Sequence, residues 1–213
     1  MAGICPATPP VIAYNGAVVA DAATGQVLFS RQLERADAQK ILLLGDRLRT
    51  TMCIWSRDRL YCNVCNDRTA RYQTISGVAP IQTTDYAAIL EQGITKILWY
   101  DAPEAWEAYR PQLQAAKFGQ VTYCTSQPMF LEFFHSAVSK AAAMEFLGKH
   151  YGIRREEMIA IGDGMNDLAM IEYAGLGVAM GNAPPAVKAA AGYVTASNGE
   201  DGVAQVIRTF ILK

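Results

Sequence analysis

The stretch Gly162-Asp163-Gly164-Met165-Asn166-Asp167 follows the apolar run Met158 to Ile161 and gathers two acids and an amide. Carboxylates crowded at a strand end need a cation or a proton. In open α/β sheets, ligands bind at the carboxyl ends of the strands. Flanking glycines let the backbone turn sharply and let a ligand come close. Hard oxygen donors of this kind suit Mg²⁺, which keeps waters and often bridges to a phosphate. A plainer reading makes Asn166 or Asp167 the N-cap or dipole partner of the next helix. That accounts for one of those two residues but not for Asp163 between its glycines.

Two other residues carry the same ambiguity. Lys140 stands in the first turn of the helix predicted over Lys140 to Tyr151. A cation there opposes the helix dipole, at a cost of about 0.3–1 kcal/mol. It is either a solvated lysine that tolerates the penalty or an ammonium held in place by a phosphate or a carboxylate cluster. Asn182 precedes Ala183-Pro184-Pro185 at another helix start. It is either an N-cap or a residue facing the same crevice as Asp163.

The elements that must position these residues follow from periodicity. From Lys140 onward the pattern is helix, strand (MIAIGD), helix (Asn166 to Tyr173), strand (LGVAM), helix opened by Pro184-Pro185, a short strand near YVT, and a last helix from Val203. Alternation of this kind predicts a doubly wound parallel sheet. The continuous apolar run of MIAIG fits a strand covered on both faces. Upstream, the chain reads as hairpins and helices. One hairpin turns at Thr24-Gly25, and a second turns at Ser56 to Arg59. A helix is expected over 36–48, and a polar irregular stretch runs to about Thr84. ITKILWY reads as a strand. PEAWEAYRPQLQAA reads as a helix begun by Pro103 and kinked or ended early by Pro111. GQVTYCTS and MFLEFFH read as another strand pair. The expected fold is therefore α/β, a Rossmann-like parallel core formed by 1–18 and 134–213, with an α+β insert over 19–133.

Bulk properties narrow the function. The 213 residues are 51% hydrophobic and 18% charged, with a net charge of −1, so a buried core is affordable. No basic stripe or tail appears, which argues against nucleic acid. No apolar run reaches the length of a membrane span, and the N-terminus lacks the basic and long apolar regions of a signal peptide. Five cysteines in a chain of this size fit reduced thiols in a cytoplasm. Cys62-Asn63-Val64-Cys65 is a lone C-x-x-C in a strand pattern, where positions three apart face opposite sides. It is not expected to bind metal. His135 and His150 lack ligand-like spacing, and Trp55, Trp99 and Trp106 read as packing residues.

VSKAAAMEFL, IAIGDGMNDLAMIEYAGLGVAMGNAPPAVKAAAGYVT and NGEDGVAQVI together resemble the C-terminal half of a Cof-type phosphatase of the haloacid dehalogenase superfamily. PVIAYNGAVV resembles the strand that leads into that family's cap. The resemblance implies a Rossmann-like core, an α+β cap and Mg²⁺-dependent hydrolysis of a small phosphorylated metabolite such as a sugar phosphate, by way of a phospho-aspartyl intermediate. It makes Lys140 the lysine that neutralises the nucleophile and the phosphoryl group, and Asp163 the acidic metal ligand. Asp167 becomes the second acid of the metal shell, catalytic with Lys140, and Asn166 and Asn182 become substrate-facing amides.

The family also begins with a strand ending in Asp-x-Asp, followed by a strand ending in Thr or Ser. No Asp-x-Asp occurs in this chain, and Thr24-Gly25 reads as a turn. The nucleophile is therefore expected to be absent from the chain. A missing central strand would leave unpaired backbone groups costing about 1–3 kcal/mol each. The expectation is a fragment or an incomplete protein whose exposed sheet edge invites self-association. Two alternatives stand beside the phosphatase: a non-catalytic remnant that binds an anion or a protein, and a phosphomutase relative. The purified chain is expected to release no phosphate from p-nitrophenyl phosphate with Mg²⁺. Robust hydrolysis that depends on Asp163 would refute this.

Overall fold

A computed structural model describes residues 8–212. In chain order the elements are β1 (Pro10–Ala13), β2 (Val18–Asp21), β3 (Val27–Ser30), α1 (Arg35–Leu48), β4 (Thr51–Ser56), β5 (Arg59–Cys62), α2 (Asp67–Ser76), β6 (Ile81–Gln82), α3 (Ala87–Gln92), β7 (Lys96–Tyr100), α4 (Ala105–Ala115), β8 (Val121–Gln127), β9 (Phe130–His135), α5 (Lys140–Tyr151), β10 (Ile159–Gly162), α6 (Leu168–Tyr173), β11 (Leu176–Ala179), α7 (Pro185–Ala190), β12 (Tyr193–Val194) and α8 (Gly202–Phe210). The chain divides into two compact units. One joins the stretch up to Phe29 with that from Val138 onward, and the other is Ser30–Ala137.

The discontinuous unit holds a parallel sheet of order β10-β11-β12, with Ile161 opposite Val178 and Gly162 opposite Ala179. Helices α6 and α7 are the crossovers. Ile171, Ala179, Ala183 and Val187 form the buried cluster between sheet and helices. Among the described residues β10 pairs with β11 alone, so its other edge carries no strand. A separate antiparallel sheet, β1-β2-β3, belongs to the same unit. Asp21 fixes its second turn by accepting from the Ala23 and Thr24 amides at 2.9 and 2.8 Å. Phe29 of β3 packs on Phe146 of α5, ring centroids 5.2 Å apart. That pairing carries the unit's boundary to residue 29, beyond the 18 suggested by sequence, and its second boundary falls at 137/138 instead of 133/134.

The continuous unit is built on a sheet of order β6-β5-β4-β7-β9-β8, antiparallel except where β6 joins β5. The alternation of β4 explains its two faces. Met52 and Ile54 enter the core with Ile41, Leu42, Ile97, Trp99 and Phe133. Trp55 turns the other way and donates to the Tyr72 hydroxyl of α2 at 3.0 Å. The β4–β5 hairpin closes with Arg57 and Asp58 both in the left-handed region, φ 48° and 57°, the backbone of a two-residue hairpin turn.

Two readings of this unit need correction. The stretch before Thr84 is not irregular: α2 forms there, because Asn66 caps it by accepting from the Arg68 and Thr69 amides while Thr69 Oγ1 accepts from the Asn66 amide. And α4 does not end at Pro111 but continues to Ala115. The proline is exposed, so its ring faces water and the carbonyl that loses a partner can be hydrated. Pro103 lies in the turn before the helix, its carbonyl accepting from the Trp106 amide at 3.3 Å.

The sheet also buries a charge pair. Lys96 Nζ donates to Glu132 Oε1 at 3.0 Å, with side chains 12% and 7% exposed. Burial alone would push the ammonium's pKa down; the Glu132 carboxylate, aided by Tyr72, outweighs it and the net direction is upward. Breaking such a pair costs more than deleting it, because one charge is left in a poor solvent. Lys96→Met is therefore expected to destabilise the protein by about 3–5 kcal/mol in urea unfolding, and Lys96→Met with Glu132→Gln to recover most of that loss. Equal loss in the single and double variants would contradict this.

Candidate active site

β10 ends at Gly162, and the chain turns at once through Asp163 and Gly164 into a single helical turn, Met165–Asp167, that leads into α6. The turn is held by its own last residue. Asp167 Oδ2 accepts from the Asp163 amide at 3.0 Å and from the Gly164 amide at 2.9 Å. Gly162 makes room for this: a Cβ there would stand 2.4 Å from that of Asp167.

The other oxygen of Asp167 accepts from Lys140 Nζ in a direct ion pair. The Asp167 side chain is 6% exposed. Burial would raise its pKa, but the Lys140 ammonium and the two amides outweigh burial and hold it below the usual carboxylate range. The pair explains why a lysine sits in the first turn of α5. Ser139 caps that helix through the Ala142 amide at 3.0 Å, while the ammonium reaches across to an anion on another element.

Asp163 differs from Asp167. It is exposed, and its Oδ2 accepts from Asn182 Nδ2 at 2.9 Å. Asn182 is itself fixed, its Oδ1 accepting from the Asn198 amide at 3.0 Å. Asn166 Nδ2 donates to Asn15 Oδ1 at 3.2 Å. All five residues singled out by sequence thus belong to one connected region, linked as Lys140–Asp167, Asp167 to the Asp163 backbone, and Asp163–Asn182, with Asn166 on the same turn.

Asn15 was missed. Tyr14, Asn15 and Gly16 all have positive φ (52°, 55° and 104°), and a Cβ on Gly16 would lie 2.2 Å from the Ser139 carbonyl oxygen. This left-handed turn seats directly on the start of α5, which brings Asn15 to the site. The signal in the sequence is the Asn15-Gly16 dipeptide, a pair suited to a left-handed turn.

Among the described residues no three His, Cys, Asp or Glu side chains stand close enough to cage an ion by themselves. The donor set instead fits a hard cation that keeps its waters and shares a substrate oxygen. Asp163 offers an exposed carboxylate oriented by Asn182, whereas both oxygens of Asp167 are engaged by Lys140 and the turn.

Comparison with known proteins is consistent across nearly the whole chain. The haloacid dehalogenase-like hydrolase family matches residues 4–207. A Bacillus subtilis protein named putative phosphatase YxeH is 34% identical over 204 residues, covering 95% of this chain and 76% of that protein. Among solved structures, a haloacid dehalogenase-like hydrolase from Bacteroides thetaiotaomicron superposes with a TM-score of 0.85 at 28% identity, over 94% of this chain and 76% of the other. A protein of Thermotoga maritima does so with a TM-score of 0.82 at 32% identity, over 94% and 75%. On sequence along almost its full length and on fold, the chain belongs to the haloacid dehalogenase-like hydrolase family.

Proposed function

We propose that the chain serves Mg²⁺-dependent hydrolysis of small phosphate monoesters, sugar phosphates or similar, and supplies the cation-binding and charge-balancing part of the site. The observation that carries this is the buried Asp167 carboxylate, tied to Lys140 and to two amides beneath an exposed Asp163. A bound Mg²⁺ would neutralise phosphoryl charge as it develops, with Asp163 as its protein ligand and Asn182 orienting that carboxylate. Of the three N–H donors of Lys140, one is committed to Asp167. The others are available to phosphoryl oxygens and to an attacking carboxylate. Asp167 keeps the ammonium aimed, and Asn166 and Asn15 shape the same rim.

The chemistry calls for an aspartate nucleophile and a phospho-aspartyl intermediate. No Asp-x-Asp stands in this sequence, and the nucleophile is not assigned to any residue of it. The edge of β10 that carries no strand among the described residues adjoins Asp163 and is where a parallel strand bearing such a carboxylate would pair. The continuous unit, Ser30–Ala137, is proposed as the cap that selects the leaving group. The described cysteines are free thiols, which suits a reducing, cytoplasmic setting. Among the described residues no helix is long and apolar enough to cross a membrane.

Binding tests the cation-and-phosphate part of this reading. Calorimetric titration with inorganic phosphate is expected to show uptake only when Mg²⁺ is present, and at least a tenfold loss in Asp163→Asn and in Lys140→Gln. Phosphate binding that ignores Mg²⁺ and Asp163 would sink it.

The tie at Asp167 has a pH signature. Its folded-state pKa is depressed, so its stabilisation is fully present above the unfolded value of about 3.9 and disappears as pH falls through the folded one. Asp167→Asn is expected to be less stable than wild type by about 1–3 kcal/mol at pH 7. In urea unfolding that gap should shrink progressively below about pH 4. A gap constant from pH 7 to pH 2 would exclude the ion pair as its source.

A further inference from the structure

The C-x-x-C at Cys62 to Cys65 does not behave as a strand dipeptide repeat. β5 ends at Cys62, and the chain then folds back, so the two sulfurs lie 3.8 Å apart instead of on opposite faces. The fold-back is anchored at both ends to β4. Asn63 Oδ1 accepts from the Met52 amide at 2.8 Å, and its Nδ2 donates to the Thr50 carbonyl at 3.0 Å. Asn66, while capping α2, donates from Nδ2 to Thr51 Oγ1 at 2.9 Å. Between these anchors only Val64 and Cys65 project outward. Cys65 is exposed and Cys62 is buried.

We propose that Cys62 and Cys65 form an oxidative modification site, in which a peroxide meets Cys65 and Cys62 closes an intramolecular disulfide. In the first step the Cys65 thiolate attacks one oxygen of the peroxide. The O–O bond breaks, Cys65 becomes a sulfenic acid, and the departing alkoxide or hydroxide takes a proton. In the second step the Cys62 sulfur attacks the sulfenic sulfur. It releases its proton, and water leaves with the hydroxyl. Two thiols lose two electrons in total, and the peroxide is reduced to an alcohol (or water) and water. Closure brings the sulfurs from 3.8 Å to about 2.05 Å, with the exposed Cys65 as the partner that moves.

The division of labour follows from exposure. Burial, then the neighbouring Cys65, pushes the Cys62 thiol's pKa up. Cys62 therefore stays protonated and shielded until a sulfenic sulfur forms beside it. Cys53 is the competitor: it is opposite Cys62 in the β4–β5 register. But Cys53 is buried, and burial pushes its pKa up to about 12, so it offers an oxidant in water no first point of attack. This site is independent of the phosphoryl chemistry and needs no metal.

The arginines of the chain make the test direct. Trypsin places Cys62 and Cys65 on one peptide, Leu60 to Arg68, and Cys53 on another, Thr50 to Arg57. The folded protein is exposed to hydrogen peroxide, free thiols are blocked with N-ethylmaleimide after denaturation, and the digest is weighed. The expected product is the Leu60 to Arg68 peptide, lighter by two hydrogens, unblocked, and restored to double blocking by prior dithiothreitol. Cys65→Ser should abolish the product. Cys62→Ser should instead let a sulfenic acid accumulate at Cys65, trapped as its dimedone adduct. Three outcomes would overturn the proposal: a cross-link between the two peptides, Cys65 modified while Cys62 remains fully blockable, or a doubly blocked Leu60 to Arg68 peptide after oxidation.

Discussion

The site rests on one anion placed where water hardly reaches. Asp167 is buried, and a carboxylate in such a place is tolerated only when paired and hydrogen-bonded. It has three partners: the Lys140 ammonium and the amides of Asp163 and Gly164. Those partners are the site. The two amides shape the turn that leaves Asp163 exposed at the strand end. The ammonium ties α5 to the β10–α6 turn, so the lysine arrives with a fixed direction. Remove the charge at Asp167 and both the turn and the lysine lose the reason for their positions.

Around that anion the demands become geometric. Gly162 exists because the Asp167 side chain occupies the space a Cβ would need. Gly16 exists because the Ser139 carbonyl lies against it. The Gly16 contact with Ser139 and the Lys140–Asp167 ion pair bring three separate stretches of sequence to one place: the Tyr14–Gly16 turn, the start of α5 and the turn after β10. Asn182 then acts across the sheet from the end of β11, holding the Asp163 carboxylate while being held by the Asn198 amide. Every polar group named at the rim is thus restrained by a second one, the arrangement by which a site keeps its reacting groups in register before a ligand arrives.

Sequence reading reached most of the candidate site because its residues are close in sequence. Gly162 to Asp167 is a contiguous string, and its acids, amide and glycines are legible without a fold. Lys140 was legible as an anomaly, a cation at the wrong end of a helix. The parallel sheet after Lys140 was legible because strand-like and helix-like stretches alternate there; the order β10-β11-β12 came only with the structure. What escaped depends on long-range closure. Asn15 is 151 residues from its partner Asn166, and nothing near it announces that distance. Helix α2 escaped because its stability comes from a reciprocal cap at Asn66 and Thr69, not from an apolar stripe. Pro111 misled because, on an exposed face, the carbonyl left without a partner can turn to water and the helix goes on. Cys62 and Cys65 misled because alternation was extended beyond the residue where β5 stops.

The division of the chain has a consequence for how the molecule is made. The unit bearing the site is interrupted at Phe29 and resumes at Val138, so β1, β2 and β3 must wait for α5 across the whole of the intervening unit. Loop closure over such a length is an entropic burden for an unstructured chain. It becomes much smaller once the interposed sheet has condensed and drawn its own two ends into a folded body. Assembly should therefore be hierarchical, with the continuous unit maturing as an autonomous folding nucleus. The turn that holds Asp167 against Lys140 would be the last part of the protein to acquire its shape.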